Sequence, residues 1–471
     1  MKKIQSKYVC QSCAYESPRW VGKCPNCGTW NGFVEEFAIP RSRSKKSGER
    51  SGRPIPITEV QSMPGNRLST GIPEFDRVLG GGVVPGSVVL VGGDPGIGKS
   101  TLMLQMASLV RSGDVLYVTG EESAAQIKLR AERLEVPPSQ NLFLLAETDV
   151  DVIDDVVQKM QPSLVIVDSI QTMFRQGLES AAGTVSQVRE VTSMLMKVAK
   201  TFDIPAFLVG HVTKEGIIAG PKVVEHIVDA VLQFEGERNY SFRVLRSMKN
   251  RFGSTQEIGI FEMHDTGLRE VLNPSETFLA QRRAGASGST VVACIEGTRP
   301  LLLEVQALVT STSYGVPQRT ATGFDAKRLQ MLLAVLEKRV GLQLGQYDVF
   351  VNVAGGVRVD EPAADLGVAI SIVSSIRDIA VDSLAVAVGE VGLGGEIRTI
   401  SQIDNRILEA RKLGFKRLIL PAGNKKNMRV DSAIDLVVVE TIDQAIQELI
   451  GFMQPIRGRA PADQMKKLAG Q

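Results

Sequence analysis

The sequence predicts an α/β protein of several domains, built on a largely parallel sheet with helical crossovers. Length is the first reason: 471 residues exceed what one ordinary core organises, so two or three domains are expected. Composition is the second, with 43% hydrophobic, 23% charged and 5% aromatic residues and 45 glycines, a profile that excludes fibrous, disordered and membrane-embedded chains. Periodicity is the third. Between Ile57 and about Pro274, short apolar runs alternate with segments of helical spacing, the pattern of parallel strands joined by crossover helices.

The chain opens on residues 1–37, which hold four of its five cysteines as Cys10-x-x-Cys13 and Cys24-x-x-Cys27. Two such knuckles can converge on a tetrahedral site that Zn²⁺ accepts without redox activity; an iron–sulfur centre or a pair of disulfides is the lesser option. So short a segment folds poorly on apolar burial alone, and a structural metal answers that need. With Cys at every ligand position no place is left for a catalytic water, so docking is the expected role. Trp20, Trp30, Arg19 and Lys23 flank the knuckles, where the tryptophans either touch DNA or a partner protein or cover a tiny core.

Residues 38–56 read as a basic flexible linker, because the stretch 41–53 has no apolar residue to offset the entropy of ordering. Residues 1–55 carry eleven Lys/Arg against four acids, a net +7, whereas the whole chain is only +2. The arm can attract nucleic acid or keep the linker solvated. Met1–Lys7 is charged with no apolar segment behind it, and no later run is long enough to span a bilayer, so a cytoplasmic protein without membrane contact is expected. In a reducing compartment the cysteine cluster holds metal, and Cys294, alone in an apolar run, is core.

Residues 57–275 form the expected central domain. Residues 87–92 read as a strand that runs into Gly93-Asp94-Pro95-Gly96-Ile97-Gly98-Lys99-Ser100, after which residues 100–110 have helical spacing. Strand, glycine-rich turn and helix start make a phosphate loop: backbone N–H groups converge on one anion, and the positive end of the helix adds to them. The expected ligand is ATP, with the Lys99 amine on the β/γ phosphates, the Ser100 hydroxyl on Mg²⁺ and Thr101 next in the helix. Further strands are expected at 115–119, 164–167 and 206–209, with a helix over 185–200 and extended edge segments at 240–246 and 257–262. Asp168 ends one strand at the sheet's C-terminal edge, placed to hold magnesium directly or through water. Glu121 or Glu122 follows another and can activate the attacking water; Glu121 is preferred, the alternative being that one of this adjacent pair is a helix-capping acid. His211, at the end of the 206–209 strand, either senses the γ-phosphate or is a hydrogen-bonded surface group.

Residues 276–453 predict a second α/β domain, with strands at 290–296 and 347–353 and a long helix near 326–338, followed by a weakly structured tail, 454–471.

The order of phosphate loop, strand–Glu and strand–Asp resembles the RecA-type ATPase core, and Lys249-Asn250-Arg251-Phe252-Gly253 matches the KNRFG signature of the bacterial RadA/Sms recombination and repair family. The resemblance covers essentially the whole chain. It implies a ring, usually a hexamer, with ATP at subunit boundaries. Lys249 and Arg251, sharing one face of an extended segment, would stabilise the phosphoryl group transferred in the neighbour's site, the alternatives being a solvated patch or direct DNA contact. The implied catalytic set is therefore Lys99, Glu121, Asp168, Lys249 and Arg251. By similarity to RecA, residues 175–184 and 213–222, with Lys214 and Lys222, are candidate DNA loops, and Phe174 either stacks on a base or is core. Residues 351–370 and 389–414 resemble the Lon protease catalytic domain, with Ala363 in place of the Ser nucleophile and Asp404 in place of the Lys base. Peptidase activity is accordingly expected to be absent. Arg406, Arg411, Lys412, Lys416, Arg417, Lys425 and Lys426 are nominated as basic surface for duplex DNA. The family implies an ATP-driven motor on single-stranded and branched DNA that promotes branch migration with RecA; the alternative is an ATP-gated adaptor that recruits RecA without translocating.

Overall fold

The computed structural model describes residues 5–11, 13, 15–38, 56–59, 67–136, 139–178, 180–210, 221–236, 242–312, 315–429 and 434–450. The chain divides into two compact units, Met1–Leu272 and Asn273–Gln471.

The first unit begins with a small antiparallel sheet of β1 (Gln5–Cys10), β2 (Glu16–Ser17) and β3 (Phe33–Ala38), in the order β2-β1-β3. Its core is small: Cys10, Cys24 and Phe33 form a buried cluster with Tyr8, Cys13 and Val21 packed on it, and Val9 is buried as well. After α1 (Pro73–Leu79) come β4 (Val88–Gly93), α2 (Lys99–Leu109), β5 (Val115–Thr119), α3 (Ala124–Arg133), β6 (Leu142–Ala146), α4 (Val150–Met160), β7 (Leu164–Asp168), α5 (Val185–Phe202), β8 (Ala206–Val209), α6 (Pro221–Ile227) and β9 (Ala230–Glu235). Three antiparallel strands, β10 (Phe242–Asn250), β11 (Ile258–His264) and β12 (Gly267–Glu270), complete a nine-stranded sheet of order β12-β11-β10-β9-β4-β8-β7-β5-β6.

Strands β4 to β9 pair in parallel, and their continuous apolar runs follow from burial of both faces. Val89 and Val91 face one core with Phe75, Leu102, Met106 and Tyr117. Val88 and Leu90, one residue out of phase, face the other, built on Ile153 and Val157 of α4 and Val188, Val191 and Leu195 of α5. Local sequence fixes the helix starts. Ser123 and Gln126 form a reciprocal capping box on α3, and Asp149 and Thr184 cap α4 and α5 through their side chains.

The second unit contains α7 (Pro274–Leu279), β13 (Ser289–Glu296), β14 (Arg299–Ser311), β15 (Arg319–Thr322), α8 (Ala326–Val335), β16 (Tyr347–Val353), α9 (Asp365–Arg377), β17 (Ala385–Ala387), β18 (Glu390–Val391), β19 (Ile397–Arg398), α10 (Ile403–Lys412), β20 (Arg417–Pro421), β21 (Asp435–Val439) and α11 (Ile442–Ile450). Its main sheet runs β15-β16-β14-β13-β17-β20-β21 and is mixed, with β13, β14 and β16 antiparallel and the other pairs parallel. The expected long helix is shorter than its apolar pattern: α8 ends at Val335 and a π-helical turn, Leu336–Val340, carries the chain to Gly341 in the left-handed region.

Candidate nucleotide site and metal centre

The C-terminal edge of the parallel sheet gathers the predicted nucleotide residues. Gly93 ends β4, and residues 94–98 turn into α2, whose first residue is Lys99. Gly98 has φ 117°, and a Cβ there would come within 2.9 Å of the Met263 terminal methyl; Gly96 has φ 77° and open space where a Cβ would project. The backbone therefore curls tightly with one side uncovered, the shape an anion cradle requires. Lys99 is buried and its Nζ donates to the Gly93 and Asp94 carbonyls at 2.8 and 2.9 Å. Burial pulls its ammonium down to about 8, against the opposing pull of the Asp168, Asp94 and Glu121 carboxylates. Ser100 and Thr101 are half-buried in the first turn of α2.

Asp168, at the end of β7, is buried and accepts the Tyr117 hydroxyl at 2.6 Å. Burial and the adjacent Asp168 push that phenol well above its ordinary value, so it stays a donor. Glu121 and Glu122 diverge: Glu121 accepts the hydroxyl of the fully buried Ser169, whereas Glu122 is ion-paired with Arg130. Lys99, Asp168 and Glu121 thus lie at one edge, in a donor and acceptor set that fits a magnesium nucleotide. His211 lies outside the described residues, as do positions 213–220 of one candidate DNA loop. In the other loop, Arg175 is occupied by Asp151 at 3.3 Å and Glu190 at 2.7 Å. The buried Gln187 amide of α5 pins that loop through the Arg175 N–H and the carbonyls of Arg175, Leu178 and Ser180. Phe174 is half-buried, its main chain bonded to Thr148 and Val150.

The KNRFG cations stand at the opposite end of the strands. β9 runs beside β4 from Ala230 at Val89 to Phe234 at Gly93, and β10 sets Asn250 beside Ala230. At ~3.3 Å per residue step, Lys249 lies three steps and Asn250, next to Arg251, four steps from Gly93, about 10 and 13 Å along the sheet from their own phosphate loop. A register shift lies between Ser247 and Lys249 and β10 ends at Asn250, and both cations reach the 225–229 stretch that joins α6 to β9. Lys249 Nζ caps α6 through the carbonyls of Glu225 at 2.5 Å and Val228 at 2.8 Å, and Arg251 Nη1 meets Asp229 at 3.3 Å.

In the cysteine knuckle the four Sγ atoms lie within 4.8 Å of one another, with Cys10–Cys27 at 3.7 Å and Cys13–Cys24 at 3.5 Å. Four thiolates at ~2.3 Å from one Zn²⁺ would stand about 3.8 Å apart, so the donor set fits that ion. Trp20 and Trp30 are 52% and 69% exposed, which removes the reading in which they cover a core, and Lys23 Nζ lies 5.5 Å from the Trp30 ring.

Three family models match in the same order: a rubredoxin metal-binding domain at residues 8–35, an AAA domain at 56–216 and the Lon protease (S16) C-terminal proteolytic domain at 337–451. The DNA repair protein RadA of Bacillus subtilis is 54% identical over 458 residues, covering 96% of this chain and all of that protein. The chain belongs to the bacterial RadA family of DNA repair proteins. RadA of Halalkalibacterium halodurans is 53% identical over 96% of this chain and 100% of its own, and RadA of Listeria monocytogenes is 52% identical over 95% and 99%. Among solved structures, that of the RadB recombinase matches at a TM-score of 0.35 and 25% identity, covering 43% of this chain and 99% of its own.

The chain has a RecA-like ATPase core, an N-terminal four-cysteine ribbon and a Lon-like domain. No helix among the described residues is long and apolar enough to cross a membrane. In the Lon-like domain, Ala363 is buried in a 3-10 turn ahead of α9, and Asp404 accepts the Arg429 N–H at 3.1 Å. The nomination of Arg406 as DNA-facing surface is overturned. Its side chain is 0% exposed, ion-paired with Glu361, and donates to the carbonyls of Ala293 and Ser401. The Lys/Arg count gave no sign of this, since Arg406 shares the inner face of α10 with Ile403, Ile407 and Ala410. Arg417 is taken by Asp435 and Glu448, and Lys412 by Glu409, while Arg411, Lys416, Lys425 and Lys426 are exposed. Cys294 is fully buried, and burial beside Glu361 raises its thiol well above the ordinary range.

Sequence reasoning passed over Tyr117, Ser169, Gln187 and Asp229. The one signal for Tyr117 was a phenol inside an otherwise aliphatic strand; nothing in the local sequence marked the other three.

Proposed function

We propose that this chain is a DNA-dependent ATPase that works as a ring-shaped, hexameric motor on single-stranded and branched DNA, extending recombination intermediates together with RecA during repair. The observation that carries the reading is the convergence of Lys99, Asp168 and Glu121 at the sheet edge that opens from the phosphate loop. Lys99 would leave the Gly93 and Asp94 carbonyls for the β/γ phosphates. Ser100 and Asp168 would hold Mg²⁺, which spreads the charge developing on the transferred phosphoryl group. Glu121, aimed by Ser169, would take the proton of the attacking water. The loop amides of residues 94–98, with Gly93 and Thr101 at its two ends, would cradle the phosphates.

Lys249 and Arg251 lie too far along the sheet to serve their own loop, which favours action at a neighbouring subunit's nucleotide and hence a closed ring. The zinc ribbon, with its exposed tryptophans, is read as a docking element, and the Lon-like domain as a scaffold without peptidase chemistry, since neither Ala363 nor Asp404 supplies a nucleophile or a cationic partner. The test is strand displacement on forked DNA with ATP, comparing wild type with Lys99→Ala, Lys249→Ala and Arg251→Ala. Loss of unwinding and ATP turnover with retained DNA binding supports the motor. Wild-type protein that hydrolyses ATP and recruits RecA but displaces no strand points instead to the adaptor.

A further inference from the structure

Asp229 lies between α6 and β9, and its side chain is only 2% exposed. A buried carboxylate has to be compensated by charge and hydrogen bonds, and here three groups meet it. Oδ2 accepts Lys200 Nζ at 2.8 Å and the Val88 N–H at 3.1 Å; Oδ1 accepts Arg251 Nη1 at 3.3 Å; and the main-chain oxygen accepts the Arg251 N–H at 3.1 Å. The same residue therefore grips Arg251 at both its backbone and its guanidinium. The Arg251 side chain is nevertheless 55% exposed, so more than half of it stays open to an incoming group.

The rest of the KNRFG turn is fastened around this contact. Asn250 bonds the Leu79 carbonyl at 3.2 Å and the Phe252 N–H at 2.9 Å, Arg67 holds the Phe252 carbonyl at 2.7 Å, and Lys200 Nζ lies 5.7 Å from the Phe252 ring.

We infer that Asp229 is the positioning residue for Arg251: it presents the guanidinium outward for a phosphate group held by another copy of this chain, and Lys200 is the standing counter-ion that keeps the carboxylate compensated when Arg251 turns to that phosphate. The inference rests on the proposed action of Arg251 across a subunit boundary. Two cations at one buried acid are what makes the arrangement workable. With Arg251 alone, moving it to a phosphate would strand a buried carboxylate; with Lys200 in place, the acid keeps a cation and the Val88 N–H. Asp229 touches no nucleotide, so its effect passes entirely through Arg251.

The experiment measures steady-state, DNA-stimulated ATP hydrolysis by the full chain for wild type, Arg251→Ala, Asp229→Asn, Lys200→Met and the double variant Asp229→Asn/Arg251→Ala. Misplacement of a charge-stabilising group by about 1 Å costs on the order of 100-fold. The expected result is therefore a roughly 10- to 100-fold fall in kcat for Asp229→Asn with KM for ATP within about twofold, and no further fall in the double variant relative to Arg251→Ala. A merely structural role would lower the double variant further. Lys200→Met should also lower kcat, by about 3- to 10-fold, because Arg251 becomes the sole counter-ion and is held back; this half-exposed side chain keeps the idea testable should Asp229→Asn not fold. Unchanged kcat in Asp229→Asn, or in Lys200→Met if the former does not fold, alongside a strong loss in Arg251→Ala, overturns the inference. Unchanged kcat in Arg251→Ala overturns the cross-boundary reading on which it stands.

Discussion

Replacing Arg406 by Met tests how the Lon-like domain is held together. The guanidinium is 0% exposed and meets Glu361 through two nitrogens, the Ser401 carbonyl at 3.1 Å and the Ala293 carbonyl. Met retains much of the side-chain volume but leaves Glu361 without its cation and two carbonyls without a donor. Breaking a buried pair from one side costs about 3–5 kcal/mol. Glu361 is 20% exposed and also accepts the Ile295 N–H at 2.7 Å, so water and that amide recover part of the loss, and about 2–4 kcal/mol is expected. At about 2–4 °C per kcal/mol for a domain of this size, the transition of the second unit should fall by roughly 4–16 °C. Differential scanning calorimetry of the full chain measures this, and the double variant Arg406→Met/Glu361→Gln should cost clearly less than the sum of the singles. A melting shift within about 1 °C, with weakened duplex DNA binding instead, would refute the buried-pair account and restore Arg406 to the surface.

Tyr117→Phe removes the 2.6 Å bond to Asp168; a buried bond to a charged acceptor contributes about 1.5–3 kcal/mol, so chemical denaturation should show a loss of that order, and an unchanged midpoint would contradict it. Lys99 bears on pH. Its ammonium is held near 8 by burial in the folded protein but titrates near ~10.4 when unfolded, so the folded state is penalised below pH 8 and the penalty fades as pH rises from about 8 towards 10.4. Nucleotide-free wild type should therefore gain stability relative to Lys99→Met over that window, read by thermal melts at stepped pH, and a difference that stays flat would count against the burial. Removing zinc should unravel β1 to β3, whose small buried cluster of Cys10, Cys24 and Phe33 is built mostly from the ligands themselves; hydrogen exchange across residues 5–38 should rise to unprotected rates with chelator, whereas protection that persists would show the ribbon folds without metal.

Much of the nucleotide edge was legible because its chemistry is local in sequence. A glycine-rich turn between an apolar strand and a helix, and acids at the ends of apolar strands, place themselves once the sheet is parallel. The strands at 115–119, 206–209 and 347–353 likewise carry enough continuous or alternating apolar character to set their own limits. What stayed hidden depends on register. Arg406 looked like surface charge because its partner Glu361 is 45 positions away, and Lys249 looked free because the carbonyls it caps belong to α6, brought to it only by the pairing of β9 with β10. β6 was passed over because its half-exposed edge position gives neither a buried run nor a clean alternation. Residues 175–184 are a candidate DNA loop by similarity to RecA, and the sequence did not show that the charge of Arg175 is matched by Asp151 and by Glu190 on α5.

Titration calorimetry of the purified full chain with MgATP bears most directly on the central claim. One ATP per chain should bind to wild type and none detectably to Lys99→Ala, with the variant's melting curve otherwise close to wild type. Wild type that takes up no MgATP, or a Lys99→Ala variant that binds it as tightly as the parent, would contradict the assignment of the glycine-rich turn as a nucleotide site.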